Sequence, residues 1–314
     1  MSDKLTMKRF EPDWALRWNQ FVQDSKNGTF LFDRCFMGYH EDRFTDHSLM
    51  VLDEDKLVAL LPANQNDSAL FSHGGLTYGG FITNAQMRAD LMLEIFEQLA
   101  IYARQHQISR LVYKPVPHFY HRQGAEEDLY ALFRANARQI RVDIASAIKI
   151  PGRPSFSKSK RQGARAAKTA GAIVAETQDW PACWAILEDV LDTRHGARPI
   201  HTLDEITILK TRFPDKLRLF GAFLGDDMIS ALVMFDCGQT VHVQYIASSA
   251  LGREIGGVDV IVDHLLTQVY HGRQWFDFGI STVDQGRELN VGLARQKEMF
   301  GARSVIYQHF EMRF

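Results

Sequence analysis

The chain sets out one order of secondary-structure elements twice, and that repetition constrains its fold more than anything else in it. In the first half, hydrophobic periodicity predicts helices over 14–25 and 33–39, then strands over 48–53, 56–62 and 69–72. A long helix over 88–105, a strand over 108–113, a helix over 126–136 and a strand over 139–150 follow. The second half gives helices over 180–193 and 203–212 and strands over 216–224, 228–236 and 240–247. It closes with a helix over 258–270, a strand over 275–279, a helix over 289–300 and a strand over 303–310. Matching elements lie about 165–170 residues apart, a period too long for a solenoid, so the chain reads as two related domains. The boundaries expected are 1–150 and 151–314, joined by PGRPSFSKS over 151–159, and the last strand is free to pack back on the first domain. The fold class is α/β (α+β): two tandem domains, each a mixed, largely antiparallel sheet flanked by helices.

Local signals agree with this reading. Asp53-Glu54-Asp55 and Gly225-Asp226-Asp227 each separate two apolar runs and mark hairpin turns. The 88–105 segment puts Leu91, Ile95, Leu99 and Tyr102 on one helical face, and the 258–270 segment does so with Val258, Ile261, Val262, Leu265 and Val269.

Lys and Arg total 36 against 38 Asp and Glu, so the net charge is −2 and the whole molecule is not built to coat DNA. The three cysteines, Cys35, Cys183 and Cys237, have no CxxC or paired spacing, which gives neither a disulfide framework nor a zinc pattern. The start lacks an apolar leader and no run reaches the ~18 apolar residues of a membrane span. A cytoplasmic protein with no transmembrane segment is the expectation.

Three features carry chemistry. From Lys149 to Lys168 there are seven basic residues and no acid, and Lys158, Arg161, Arg165 and Lys168 form one helical stripe. The stripe is either a solvated face or a site for phosphates, which would offset its like charges. Second, Gly252, Gly256 and Gly257 sit between a strand and a helix, where free N–H groups hold anions and Arg253 adds a bidentate contact; a plain glycine turn is the alternative. Third, Asp277 points away from Phe276 and Phe278 near the carboxyl end of a strand, where α/β proteins keep ligands. In the next helix Lys297 falls on the apolar stripe of Leu289, Leu293 and Phe300, so it either snorkels outward or is held over a site. Ser281 and Asn290 flank it.

The run from Lys158-Ser-Lys-Arg to Gly171, and the closing FDFGIST…G-x-x-LN-x-GL…QKE-x-FGA, resemble FemAB-like (BioF2-like) acyltransferases of the GNAT fold, in the branch found with surface-polysaccharide genes. The resemblance covers 153–314 best. In the first half, SHGGLTYGG resembles the family's glycine-rich groove; Gly74 and Gly75 let a ligand approach, so Ser72, His73 and Tyr78 are candidate acceptor contacts, Tyr78 by stacking on a sugar ring. The resemblance implies two GNAT-like domains with the acceptor between them, a donor site only in the second, and Lys297 on the acceptor's acidic groups or the tetrahedral centre. The wider family uses acyl-CoA or aminoacyl-tRNA as donor, and REIGG departs from its R/Q-x-x-G-x-G/A pyrophosphate loop.

The expected reaction is direct amide formation. No cysteine stands in a nucleophile setting and there is no G-x-S-x-G elbow. Asp277 takes the amine proton, backbone N–H groups around 244–246 hold the carbonyl, Tyr245 protonates the leaving group and Lys297 steadies negative charge. His201 is the reserve base. Tyr245 also reads as a core aromatic sharing a strand face with Val241 and Val243. His118 and His121 read as surface histidines, with no metal. The leading function is an N-acyltransferase taking acyl-CoA (acetyl-CoA) to an amino-sugar or nucleotide-sugar acceptor. The rivals are an aminoacyl-tRNA-dependent transferase and a non-catalytic glycan- or nucleotide-binding module.

Overall fold

The computed structural model describes residues 5–314, which gather into two compact units. The first takes 5–143 with 283–288 and 306–314; the second takes 144–282 with 289–305. Among the described residues no helix is long and apolar enough to cross a membrane.

In the first unit, β1 (Leu5–Arg9), β2 (Leu49–Asp53) and β3 (Lys56–Leu61) pair antiparallel, with Met7 opposite Val51 and Met50 opposite Leu60. Asp53 pairs with Lys56, so the turn is Glu54-Asp55 alone, and Glu54 takes the left-handed conformation at φ +56°. β4 (Ala69–Phe71) runs parallel to β5 (Arg110–Tyr113), and residues 310–313 pair antiparallel with β5. α1 (Ala15–Asp24) buries Trp18, Phe21 and Val22. α2 (Ala89–Gln105) buries Met92, Ile95, Phe96 and Leu99 against Leu49, Leu61, Leu70 and Leu111. Each such side chain contributes about 1.5–3 kcal/mol by leaving water.

α3 (Glu127–Arg134) is anchored by a buried polar contact: Tyr113 Oη donates to Asp128 Oδ2 at 2.6 Å and accepts from the Phe81 N–H at 2.7 Å. Burial pushes the Asp128 carboxyl up to about 7. The folded chain therefore holds a proton that the unfolded chain has released above pH ~4, so this group's stabilisation is greatest in acid and is lost as pH climbs from ~4 to ~7. Asp128→Asn removes that slope: the thermal stabilities of wild type and variant should diverge by order 1 kcal/mol or more across that range. Parallel curves would contradict it.

β6 (Arg138–Lys149) belongs to the first unit up to Asp143 and to the second beyond it. The second unit then adds α4 (Lys158–Thr169), β7 (Ile173–Thr177), α5 (Trp180–His195), α6 (Leu203–Arg212), β8 (Leu217–Leu224), β9 (Asp227–Asp236) and β10 (Thr240–Ser248). α7 (Ala250–Ile255), α8 (Gly257–His264), β11 (Trp275–Ile280) and α9 (Val291–Glu298) complete it, and β12 (Arg303–Arg313) belongs to it up to Val305 and to the first unit from Ile306. Strands β7 to β10 pair antiparallel in chain order, β11 joins β10 in parallel, and the second-unit part of β6 pairs antiparallel with β11. The β8–β9 turn is Gly225-Asp226, with Gly225 at φ +58° and Asp227 already in the strand.

One face of this sheet packs on α4 and α8 through Leu232, Met234, Val241, Val243, Val260, Ile261, Phe276 and Phe278. α5 lies on the opposite face, where Trp184 meets Tyr245 edge-on at 5.4 Å. The expected 258–270 helix is α8 followed by a π-helical turn over Leu265–Val269. A separate helix, α7, occupies what the sequence presented as a glycine loop. Ser249 caps it, its hydroxyl accepting from the Gly252 N–H at 3.1 Å, and Gly256 at φ +89° ends it.

Candidate active site

The site sits where β10 and β11 meet. Their parallel register covers Thr240–Trp275, Val241–Phe276 and His242–Asp277 and goes no further. Beyond it, β9 runs from Val233–Tyr245 to Met234–Val243, so Gln244 is an extra residue outside the ladder. The bulge resets the alternation. Val243 stays in the α8-side core, whereas Tyr245 turns to the α5 face, the face that also carries His242. Sharing a face with Val241 and Val243, as the sequence suggested for Tyr245, holds only for a strand of unbroken alternation.

Asp277 is fully buried and both oxygens are engaged: Oδ1 accepts from the Gly279 N–H at 2.8 Å and Oδ2 lies 2.9 Å from His242 Nδ1. A carboxylate there keeps the proton on Nδ1 and makes Nε2 the basic nitrogen of His242, whose side chain is 13% exposed. This corrects the expected role of Asp277. A carboxylate with no access to solvent and both oxygens bonded is suited to orienting its neighbour, and that neighbour is His242, which sequence reasoning missed.

Lys297 is 5% exposed, and its ammonium donates to the carbonyls of Gly279 at 2.9 Å and Ile280 at 2.7 Å. Burial pushes its pKa down to about 8 against the opposing charge of Asp277. Of the two fates open to this lysine, the fold takes the inward one. The stripe expected to run beside it is not the core face: Leu289 is 43% exposed and Leu293 37%, while Ala294 and Lys297 are buried. The helix begins only at Val291, because the Asn290 carboxamide caps it by accepting from the Leu293 N–H at 3.0 Å. The Asn290 carboxamide oxygen is therefore engaged at the helix start. Ser281 is buried and its hydroxyl has no hydrogen-bond partner among the described residues, a position suited to a ligand contact.

Tyr245 and His201 form a second pair. The Tyr245 hydroxyl lies 2.6 Å from His201 Nδ1 and accepts from the His201 backbone N–H at 3.1 Å. Burial pushes the phenol pKa up, so the hydroxyl stays protonated and able to donate. On β10, residues 242 and 245 stand roughly 10 Å apart at the strand rise.

The expected donor elements look different in the fold. Lys158, Arg161, Arg165 and Lys168 do form an exposed face of α4, but protein groups meet part of it. Lys168 bonds Asp263 at 2.8 Å, Arg161 donates to the Phe156 carbonyl, and the neighbouring Lys160 bonds Asp259 at 2.8 Å. Arg253 donates to the Ser248 carbonyl at 2.5 Å. The glycines are packing positions: a Cβ on Gly256 would stand 2.5 Å from the Gly163 carbonyl oxygen, and one on Gly257 2.3 Å from Ser230 Oγ.

In the first unit, Ser72, His73 and Tyr78 are all buried. Ser72 Oγ accepts from the Lys114 N–H at 2.8 Å, and His73 Nδ1 accepts from the Gly75 N–H at 3.2 Å. Tyr78 is 1% exposed between Phe32, Tyr120 and Tyr307, so it has no ring face for a sugar. Gly79 lets the chain pass the Ser72 carbonyl, which a Cβ would overlap at 1.7 Å. His121 is likewise buried, Nε2 lying 2.8 Å from the Val116 carbonyl, so it holds a loop rather than lying at the surface.

The interrupted parallel pair, the bulge beside it and the buried histidine–carboxylate contact at its mouth make up the candidate site. Residues 154–286 match the family described as Acetyltransferase (GNAT) domain, which supports an acyltransferase, and the fold of the chain agrees with that match. It is similar to the crystal structure of FemX, at 12% identity and a TM-score of 0.69 over 98% of this chain and 97% of that one. It is also similar to L-PGS from Bacillus licheniformis, at 12% identity and a TM-score of 0.61 over 98% and 93%. A tandem GNAT protein from the clavulanic acid biosynthesis pathway superposes with a TM-score of 0.50 at 10% identity, covering 98% of each. No curated protein matches by sequence.

Proposed function

We propose that the protein transfers an acyl group from an acyl-CoA, acetyl-CoA in the simplest case, to the amine of an amino sugar or nucleotide sugar. The observation that carries the reading is the His242–Asp277 contact at 2.9 Å beside the buried Lys297 ammonium. The amine nitrogen attacks the thioester carbon and passes its proton to His242 Nε2. A new C–N bond forms, the C–S bond breaks, and Tyr245 gives its hydroxyl proton to the departing sulfur. His201, at 2.6 Å, supplies the replacement proton. The backbone at Gln244, outside the β9 register, offers an N–H to the oxyanion. The chemistry of a CoA-type donor is its activated acyl group; the chain's residues bind it, orient it and move protons.

The test is thiol release on incubating purified protein with acetyl-CoA and a panel of amino sugars and nucleotide amino sugars. Turnover dependent on the amine, with the acetylated nitrogen identified by mass spectrometry, supports the reading. An aminoacyl-tRNA donor is the second reading, favoured by the exposed Lys158, Arg161 and Arg165 on α4; transfer from charged tRNA, falling steeply with salt, would select it.

Lys297 makes a pH-dependent contribution. Its ammonium is present below a pKa of about 8 and is lost above it, so activity should fall on the alkaline side with that midpoint. Lys297→Met should lower kcat/KM by about 100-fold and abolish that limb. An unchanged alkaline limb in the variant would remove Lys297 from the scheme.

A further inference from the structure

A second polar cluster lies in the first unit, outside the site above. Lys114 follows directly on β5, and the Tyr113–Phe310 pair brings it level with His309 of β12. Arg141 and Asp143 lie two apart on β6 and share a face of it. Arg141 grips Asp143 with two bonds, Nε to Oδ2 at 2.7 Å and Nη2 to Oδ1 at 3.1 Å, and His309 Nε2 stands 3.8 Å from Oδ2. The Lys114 ammonium donates to the Leu76 carbonyl.

Lys114 is thus faced by Arg141 from β6, by His309 from β12 and by His73 from the segment after β4, while Asp143 lies beside Arg141 and His309. Arg141 already holds the Asp143 carboxylate, and His73 is also faced by His40, Arg34 and Asp46. Burial and the Arg141 charge push the Lys114 pKa down to about 7, and burial with these same cations pushes His309 down to about 4. Crowding like charges into a half-buried place destabilises the fold unless an anion joins them, and such crowding concentrates at functional sites.

We propose that Lys114 and Arg141, with His309 at their edge, bind an oxyanion borne by the acceptor, either a phosphate or a carboxylate. The word acceptor rests on the acyl-transfer reading; the anion site itself does not. Binding holds Lys114 protonated, so affinity falls as pH rises through neutrality.

The experiment is calorimetric titration of the full chain with sulfate and with acetate, at constant ionic strength, at about pH 6 and about pH 8.5; both ions keep their charge over that range. Binding should weaken about tenfold between the two pH values, and Lys114→Met should weaken it about tenfold at the lower pH and erase the pH dependence. Lys114→Arg should bind at both pH values alike, and it carries the test together with wild type should Lys114→Met fail to fold. Stronger sulfate binding points to a phosphate-bearing acceptor, stronger acetate binding to a carboxylate. Wild-type binding indifferent to pH, or undiminished in Lys114→Met, overturns the proposal. No acyl transfer is measured, so an inactive enzyme with intact anion binding leaves this inference standing, and the reverse result removes it alone.

Discussion

His242→Gln should lower kcat for acyl transfer by about 100–10,000-fold while the protein stays folded. Glutamine keeps a polar side chain of similar reach beside Asp277, but it has no nitrogen that accepts a proton near neutrality. His242→Gly should show the same loss, with partial rescue by added imidazole, which a merely structural histidine would not show. Asp277 acts through His242, so Asp277→Asn should lower kcat and leave KM nearly unchanged, because the histidine then loses the acceptor that fixes its tautomer. Steady-state kinetics on the three variants decide the matter. A His242→Gln enzyme with wild-type turnover would return the base to another group.

Gly256→Ala should cost about 2–4 kcal/mol of stability, lowering Tm by roughly 5–15 °C. Gly256 sits at φ +89°, and an added Cβ would press on the Gly163 backbone at 2.5 Å. Neither atom set can yield without moving α4 away from α8. The variant separates two readings of this glycine. If it cradled donor phosphates, the substitution would raise KM for the donor and leave melting alone. A Tm within a degree or so of wild type, with an elevated donor KM, would reinstate the phosphate loop.

Much of the scaffold was legible because it depends on short-range pattern. The 203–212 helix, the turn at Gly225-Asp226 and the alternation that sends Phe276 and Phe278 one way and Asp277 the other follow from periods of 3.6 and 2 and from turn chemistry. Asp277 and Lys297 stood out as polar groups among apolar neighbours, and the fold brings them together. His242 did not stand out. Its partner lies on a parallel neighbour, and parallel register between strands joined by two helices leaves no mark in either strand alone. The Gln244 bulge is invisible for the same reason: it is a mismatch in length between β9 and β10. α7 did leave a signal, since Ser249 followed by Gly256 brackets a short helix with a hydroxyl start and a left-handed stop. A sequence gives a glycine's freedom without naming the neighbour that needs it, so Gly252, Gly256 and Gly257 read equally as a phosphate site or a plain turn.

The bulge makes β10 a strand whose length matters as much as its composition. Excising Gln244 alone would leave Val243 and Tyr245 adjacent, as their β9 partners Met234 and Val233 already are, so the ladder would become regular with the Tyr245 phenol still toward Trp184 and Ile246 still toward α8. His242, upstream, would not move. Thus a single deletion would remove the backbone group proposed for the oxyanion while leaving His242 and Tyr245 on their common face, and related chains that have shed this one amino acid should keep both side chains yet transfer acyl groups more slowly.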